Sequence, residues 1–535
     1  MTRRRWLIAF ALVGAALVAQ RLIGLGSVPP GLHSDEASIG WNAWTLAHHG
    51  TDEHGASFPL FIEAFGEYKN PVYVYLLAPF TWVLPLSAST VRLPAALCGI
   101  ATAAVLALAA LRALRSAPVA MATLVTAALT PWAVVESRLG LEAPAFVLCV
   151  ALAVLGVAAA GSAAQGGPVV RWHWMTGVSL ALAVYAYSSG RLLIALLVVA
   201  WLLLDRGRWR RSQLVALLTP VVAAYALLAA YVAVNPGALT RRLAGISIAS
   251  DSHNPLLVAA RFVRNMLTYL GPHFLAGGGD SNLRYFTGEG GMLLVTLAVP
   301  TGVGVVAAVR RRAEPLPRFL LLLLLLAPVP AALTNDGTPQ SLRASAMLPA
   351  LLGLAAYGWA DILPVLARRP PLALLAAAAV AVEAGAFFAD LELRYPARAL
   401  AAFDSGELTA VDDARTLAGG HRVLLSSSLD QPYIFALFAF HPAPPSPAVH
   451  AKGSGDNRAY HDAVLRSLGM AEDTPGSIAA AAGPGDILVL APGDPIPAGA
   501  TVVERVTAQA TSAEPLGVGD PSITRSEVAV LVRTG

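Results

Sequence analysis

Eleven runs of apolar residues, most of them about long enough to cross a bilayer, constrain this 535-residue chain more than any other feature. A helix needs roughly 20 residues to traverse the ~30 Å hydrocarbon core. Inside that core every backbone polar group must bond within its own segment, so such runs are expected as helices. The expected spans lie at 6–25, 90–111, 117–135, 143–161, 173–189, 191–204, 214–234, 291–309, 319–334, 344–366 and 372–389. With 56% hydrophobic and only 13% charged residues, a set of water-soluble domains and a disordered chain are both excluded. The two cysteines, Cys98 and Cys149, lie inside apolar runs and offer neither a disulfide framework nor a thiolate cluster.

Basic residues orient the spans. Arg3, Arg4 and Arg5 precede the first run, and alternate loops then carry Arg112 and Arg115, Arg171, Arg206 to Arg211, Arg310 to Arg318, and Arg368 with Arg369. These are expected in the cytoplasm, which places the C-terminus outside. The first run is read as a retained helix, because Leu17 fits the small-residue rule of a cleavage site poorly. No nucleic-acid motif accompanies the arginines, so no nucleic-acid partner is expected. The expected domains are a transmembrane part at 1–390, with exterior loops at 26–89 and 235–290, and an exterior domain at 391–535. In the latter, Val423–Ser427, Asp486–Ala491 and Val528–Val532 read as buried strands and Pro432–Phe440 as a helix, which makes it a small α/β domain.

Polar residues concentrate in the exterior loops, so chemistry is expected at the outer membrane surface. Asp35 and Glu36 follow a break at Pro29, Pro30 and Gly31. Partial desolvation there would raise carboxylate basicity, and such a group could accept a proton from an attacking hydroxyl. The plainer reading makes Ser34 or Asp35 the cap of a short helix starting near Ala37. Lys69 stands out because only it and Lys452 are lysines among 37 basic residues; a compact cation at the interface could hold a lipid phosphate. Arg138, between Glu136 and Glu142, could clamp a phosphate with two hydrogen bonds, or simply pair with those neighbours. Arg191 and Arg343 sit in two further exterior patches. His253, His273 and Asp280 are too widely spaced to read as a zinc site. Glu383 is the clearest ionisable residue inside a span and reads as a helix-end residue in preference to a proton relay.

The order of these features resembles bacterial membrane glycosyltransferases of family 39, the protein mannosyltransferase and aminoarabinose transferase type with the GT-C fold. The matching segments are Asp35-Glu36, Glu67-Tyr68-Lys69-Asn70-Pro71-Val72-Tyr73, Val91-Arg92-Leu93-Pro94, and Ser137-Arg138 with Glu142. Tyr187 to Leu192, Gly279 to Arg284, Leu342-Arg343-Ala344 and Asp430-Gln431-Pro432-Tyr433-Ile434 continue the match. The usual Lys-Pro-Pro is Lys69-Asn70-Pro71 here.

The resemblance implies a polytopic α-helical GT-C protein of about eleven transmembrane helices in a bacterial cytoplasmic membrane. It implies transfer of a sugar from a polyprenyl-phosphate donor to an acceptor hydroxyl or amine of a glycan, lipid or protein. Asp35 would be the general base of an inverting displacement, with Glu36 beside it. Lys69 and Arg138 would hold the leaving phosphate, with Arg191 and Arg343 as further donor contacts. No cofactor is required; some relatives bind a divalent metal ion, for which Glu67 or Glu142 could serve. The competing readings are a lipid or glycan transporter or flippase, which would need a polar path through the spans, and a nonenzymatic assembly protein.

Overall fold

The computed structural model describes all residues except 1, 163–168, 240–244, 253, 443–457 and 513–521. His253 therefore lies outside the described residues. The eleven expected spans fall largely on helix, although those at 117–135, 173–189 and 319–334 are interrupted and that at 291–309 becomes helical only at Val295. Seven helices are long and apolar enough to cross a membrane: Arg3–Leu22 (α1), Ala88–Leu114, Ala143–Ser162, Arg211–Val234, Pro315–Ala332, Met347–Arg368 and Pro370–Leu393. Shorter apolar helices cover Ala117–Leu129, Ser188–Leu204 and Val295–Arg310, together with Pro71–Val83, which lies outside the eleven expected spans. The architecture is a polytopic α-helical protein with a small C-terminal sheet domain. By internal contacts it forms two units, one of residues 1–23 with 95–388, the other of 24–94 with 389–535.

In the first unit the helices pack through small residues. A Cβ on Gly304 would collide with the carbonyl of Leu354, and one on Gly358 with the carbonyl of Pro300. The helices Val295–Arg310 and Met347–Arg368 thus touch backbone to backbone, a contact that only glycine permits and that membrane helices favour. Glu383, inside the last apolar run, accepts from the backbone N–H of Val295 and Thr296 and from the Thr296 hydroxyl. It caps a helix N-terminus, where a carboxylate is stabilised by the exposed N–H groups. Glu383 was expected at the end of its own helix; it lies instead within Pro370–Leu393 and caps a different helix.

The second unit begins with α2 (Ser34–His49), a hairpin of β1 (Ile62–Ala64) and β2 (Glu67–Lys69), and α3 (Pro71–Val83). α2 begins at Ser34, three residues before the expected start, and runs for 16 residues. The C-terminal residues supply a five-stranded sheet of β3 (Val423–Ser426), β4 (Met470–Asp473), β5 (Ile487–Leu490), β6 (Thr501–Ser512) and β7 (Ser522–Arg533) in the order β4-β3-β5-β7-β6. β3 pairs in parallel with β4 and β5, while β7 runs antiparallel to β5 and β6. All four residues of β3 and of β5 are buried, which explains why both read as unbroken apolar runs and not as alternating ones. Leu424, Leu488, Leu490, Val530 and Val532 form the core against Ile478. The helix Pro432–Phe440 is present as expected.

Candidate active site

The second unit assembles the carboxylates at the start of α2. Gly31 takes φ +68°, and a Cβ there would meet the Ser405 hydroxyl and the Phe403 carbonyl at 2.5 and 2.7 Å. Only glycine allows the chain to turn so close to residues 403–405. Beneath the turn lies Arg92, fully buried. Its Nε and Nη2 donate to both oxygens of Glu36 at 2.8 Å, while Nη1 and Nη2 donate to the carbonyls of Leu25, Pro29 and Gly31. Glu36 also accepts from the His33 backbone N–H. The planar guanidinium therefore fixes residues 25–36 as one piece. Glu36 is 1% exposed, so the structure gives it a scaffolding position, and Arg92 is a site residue that the sequence reading left unassigned.

Asp35 points the other way, with its side chain 38% exposed. The hairpin brings Lys69 to it: the tight turn uses positive φ at Phe65 and Gly66, as a two-residue hairpin connection requires. Lys69 Nζ donates to Asp35 Oδ1 at 2.5 Å and lies 4.9 Å from the centre of the Phe65 ring. On the other side, His33 Nε2 is 3.6 Å from Asp35 Oδ2. Burial works to raise the Asp35 carboxyl, but the Lys69 charge and the His33 imidazole outweigh it and hold the group well below the usual carboxylate range. The expectation that desolvation would raise Asp35 basicity is thus corrected: a neighbouring cation decides the sign. Glu67, also on β2, is half-buried.

A third group lies behind His33. Its Nδ1 is 2.6 Å from Asp404 Oδ2, which also accepts from the Ser34 N–H at 3.0 Å, and the Ser34 hydroxyl donates to Asp430 at 2.8 Å. Glu407 accepts from the Asp430 backbone N–H. Burial, reinforced by the charges of Asp404 and Asp430, pushes the Glu407 carboxyl up to about 8. Ligand atoms of His33, Asp404 and Asp430 all lie within 4.8 Å of one another. Neither Glu67 nor Glu142 belongs to such a group among the described residues.

Farther along α2, Asn42 exchanges hydrogen bonds with Glu53, donating to its carboxylate at 2.8 Å and accepting from its N–H at 2.9 Å. Glu53 is wholly buried, and burial pushes it up to about 8 and its neighbour Asp52 up to about 7.

The remaining sequence candidates belong to the first unit. Arg138 is buried and donates to the carbonyls of Gln20 and Ile23, each at 2.9 Å, at the end of α1. Arg191 opens the helix Ser188–Leu204, with Glu142 as its electrostatic partner. Arg343 pairs with Asp336 at 2.8 Å and donates to the Thr334 hydroxyl. Asp280 accepts from the N–H and hydroxyl of Ser341, tying two loops together; His273 opens a short helical turn nearby in sequence.

Comparison with known proteins bears out the resemblance. Residues 24–239 match the family described as dolichyl-phosphate-mannose-protein mannosyltransferase. Two crystal structures of ArnT from Cupriavidus metallidurans share the fold. The one bound to undecaprenyl phosphate is 15% identical, with TM-score 0.57, over 94% of this chain and 97% of its own. The apo structure gives 15% and 0.56, over 92% and 94%. The oligosaccharyltransferase of Archaeoglobus fulgidus, crystallised with zinc and sulfate, matches at 12% identity and TM-score 0.50 over 87% of this chain and 62% of its own. No curated protein matches the sequence. The chain has the GT-C glycosyltransferase fold in a multi-pass membrane protein.

Proposed function

We propose that the protein transfers a sugar from a polyprenyl-phosphate donor to an acceptor hydroxyl or amine at the outer face of a bacterial cytoplasmic membrane. In this reading the N-terminus is cytoplasmic, residues 1–390 are the membrane transferase and residues 391–535 an extracytoplasmic domain. The observation that carries it is the Asp35–Lys69 pair: a part-exposed carboxylate and a nearly buried ammonium held 2.5 Å apart within the stretch that matches the mannosyltransferase family. ArnT, whose fold the chain shares, has been crystallised with undecaprenyl phosphate.

Asp35 takes the proton from the acceptor as its oxygen attacks the anomeric carbon. The bond from that carbon to the phosphate oxygen breaks on the opposite face, so configuration inverts. The departing phosphate gains negative charge, which Lys69 stabilises. Lys69 thereby has two partners at different times. In the free protein it depresses Asp35, and a donor phosphate that takes up its charge leaves the carboxylate a stronger base. In this reading Arg138 is a further phosphate cation, and Arg191 and Arg343 are outer donor contacts. Glu36 acts through Arg92 by holding the turn. A transport reading loses its strongest residue, because Glu383 is occupied as a helix cap.

The test is transfer by purified protein from a panel of radiolabelled polyprenyl-phosphate sugars to membrane-derived acceptors. Asp35→Asn is expected to bind donor and to abolish transfer. Undiminished turnover in that variant would reject Asp35 as the base.

A further inference from the structure

We propose that His33, Asp404 and Asp430, with Glu407 beside them, bind a divalent transition-metal ion of the zinc or manganese class. This site is independent of the transferase reading and differs from the Glu67 and Glu142 candidates. The separation fits: donor atoms within 4.8 Å of one another match ligands spread around one ion, since two opposed bonds of ~2.1–2.3 Å span about 4.2–4.6 Å. The donor set fits as well. An imidazole among carboxylates suits zinc or manganese, whereas calcium and magnesium favour oxygen alone.

Charge and hydrogen bonding give a separate reason. Asp404, Asp430 and Glu407 converge here, and among the described residues none of the three is paired with a lysine or arginine; the partner of Asp404 is His33. Glu407 is 7% exposed, and among the described residues its Oε2 has no hydrogen-bond partner. A buried carboxyl oxygen without a partner beside an imidazole and two further carboxylates is the kind of group that is kept where it is hydrogen-bonded or coordinates a metal.

An ion on His33 Nδ1 would place the ring proton on Nε2, the nitrogen that faces Asp35 Oδ2 at 3.6 Å. Such a metal–imidazole–carboxylate chain fixes tautomer and orientation. The ion would thus tie His33 to residues 371 and 397 positions later and orient Asp35 through His33, a positioning residue.

The experiment uses tag-free, full-length protein in detergent, stripped with EDTA and then exposed to ZnCl2, MnCl2 or CaCl2. Bound metal is read by mass spectrometry after desalting, together with the unfolding temperature. About one zinc or manganese ion per chain and a concentration-dependent rise in unfolding temperature are expected, with calcium giving neither. Asp404→Asn and Asp430→Asn should each lower occupancy about tenfold or more, while a Glu67→Gln and Glu142→Gln double variant keeps it. If Asp404→Asn does not fold, Asp430→Asn decides, because its side chain is exposed and makes one hydrogen bond to Ser34. Wild-type protein that takes up neither metal, or an Asp430→Asn variant that retains full occupancy, overturns the proposal.

Discussion

Arg92 offers the sharpest test of how the site is built. Replacing it with methionine keeps much of the volume and removes every donor. The variant strands a Glu36 carboxylate that is 1% exposed and three carbonyls, those of Leu25, Pro29 and Gly31. Breaking a buried ion pair from one side costs about 3–5 kcal/mol, because the surviving charge stays desolvated. For a unit of roughly two hundred residues, where 1 kcal/mol moves the midpoint by about 2–4 °C, the expected drop in unfolding temperature is about 6–20 °C. Glu36→Gln should cost less, since Arg92 keeps its three carbonyls and the amide oxygen can still accept. The double variant should fall well short of the sum of the singles, by about 1–3 kcal/mol, as expected for groups in direct contact. The assay is thermal unfolding of purified protein in detergent, with donor binding and transfer measured in parallel. Turnover should fall more than donor affinity, because the turn that aims Asp35 loosens while Lys69 stays on its hairpin. An Arg92→Met protein with an unchanged midpoint, or strictly additive effects, would refute the reasoning.

Lys69→Gln should lower transfer by roughly 10²–10³, taking the loss of one transition-state donor as the guide. It should also move the acid limb of the kcat/KM profile to higher pH. With the cation gone, burial is left to dominate at Asp35 and its pKa rises from the depressed position it has beside Lys69; an unmoved limb would show that Lys69 does not set the carboxyl. Glu53 supplies a stability prediction. Its carboxyl is held up to about 8, against an ordinary 4.5, so the folded protein binds the extra proton between those values and loses stability as pH rises through them. The slope is about 1.4 kcal/mol per pH unit at most. Unfolding temperature should fall from pH 5 to 8, and Glu53→Gln should flatten the profile; equal slopes in both proteins would sink the argument.

Much of this was legible in the sequence because it depends on local patterning. The apolar runs announced the helices, the buried strands Val423–Ser426 and Ile487–Leu490 appeared as short apolar stretches, and Lys69 was conspicuous in a chain that uses arginine almost everywhere else. Glu383 was legible only as a helix-end residue, because its capping of another helix rests on a contact 88 positions away. The failures share a physical cause. Whether Asp35 is more or less basic than usual depends on the balance between burial and one cation 34 positions away, and no local pattern reports that balance.

The same limit applies more strongly to His33. In the sequence it is a lone histidine beside an acidic pair, and its meaning rests on Asp404, 371 positions later. Asp430 was visible only as part of a familiar segment, with no sign that it would meet Ser34. A carboxylate that must be ionised, part-exposed and rigid cannot be built from the first loop alone. Its two flanks need a cation on one side and an anchored imidazole on the other. The hairpin provides the first from nearby sequence, and the C-terminal residues provide the second. Truncating the chain before Asp404 should therefore leave Lys69 beside Asp35 but release His33, so donor binding should survive better than transfer. If the truncated protein folds and turns over at the full rate, the C-terminal residues have no part in aiming the base.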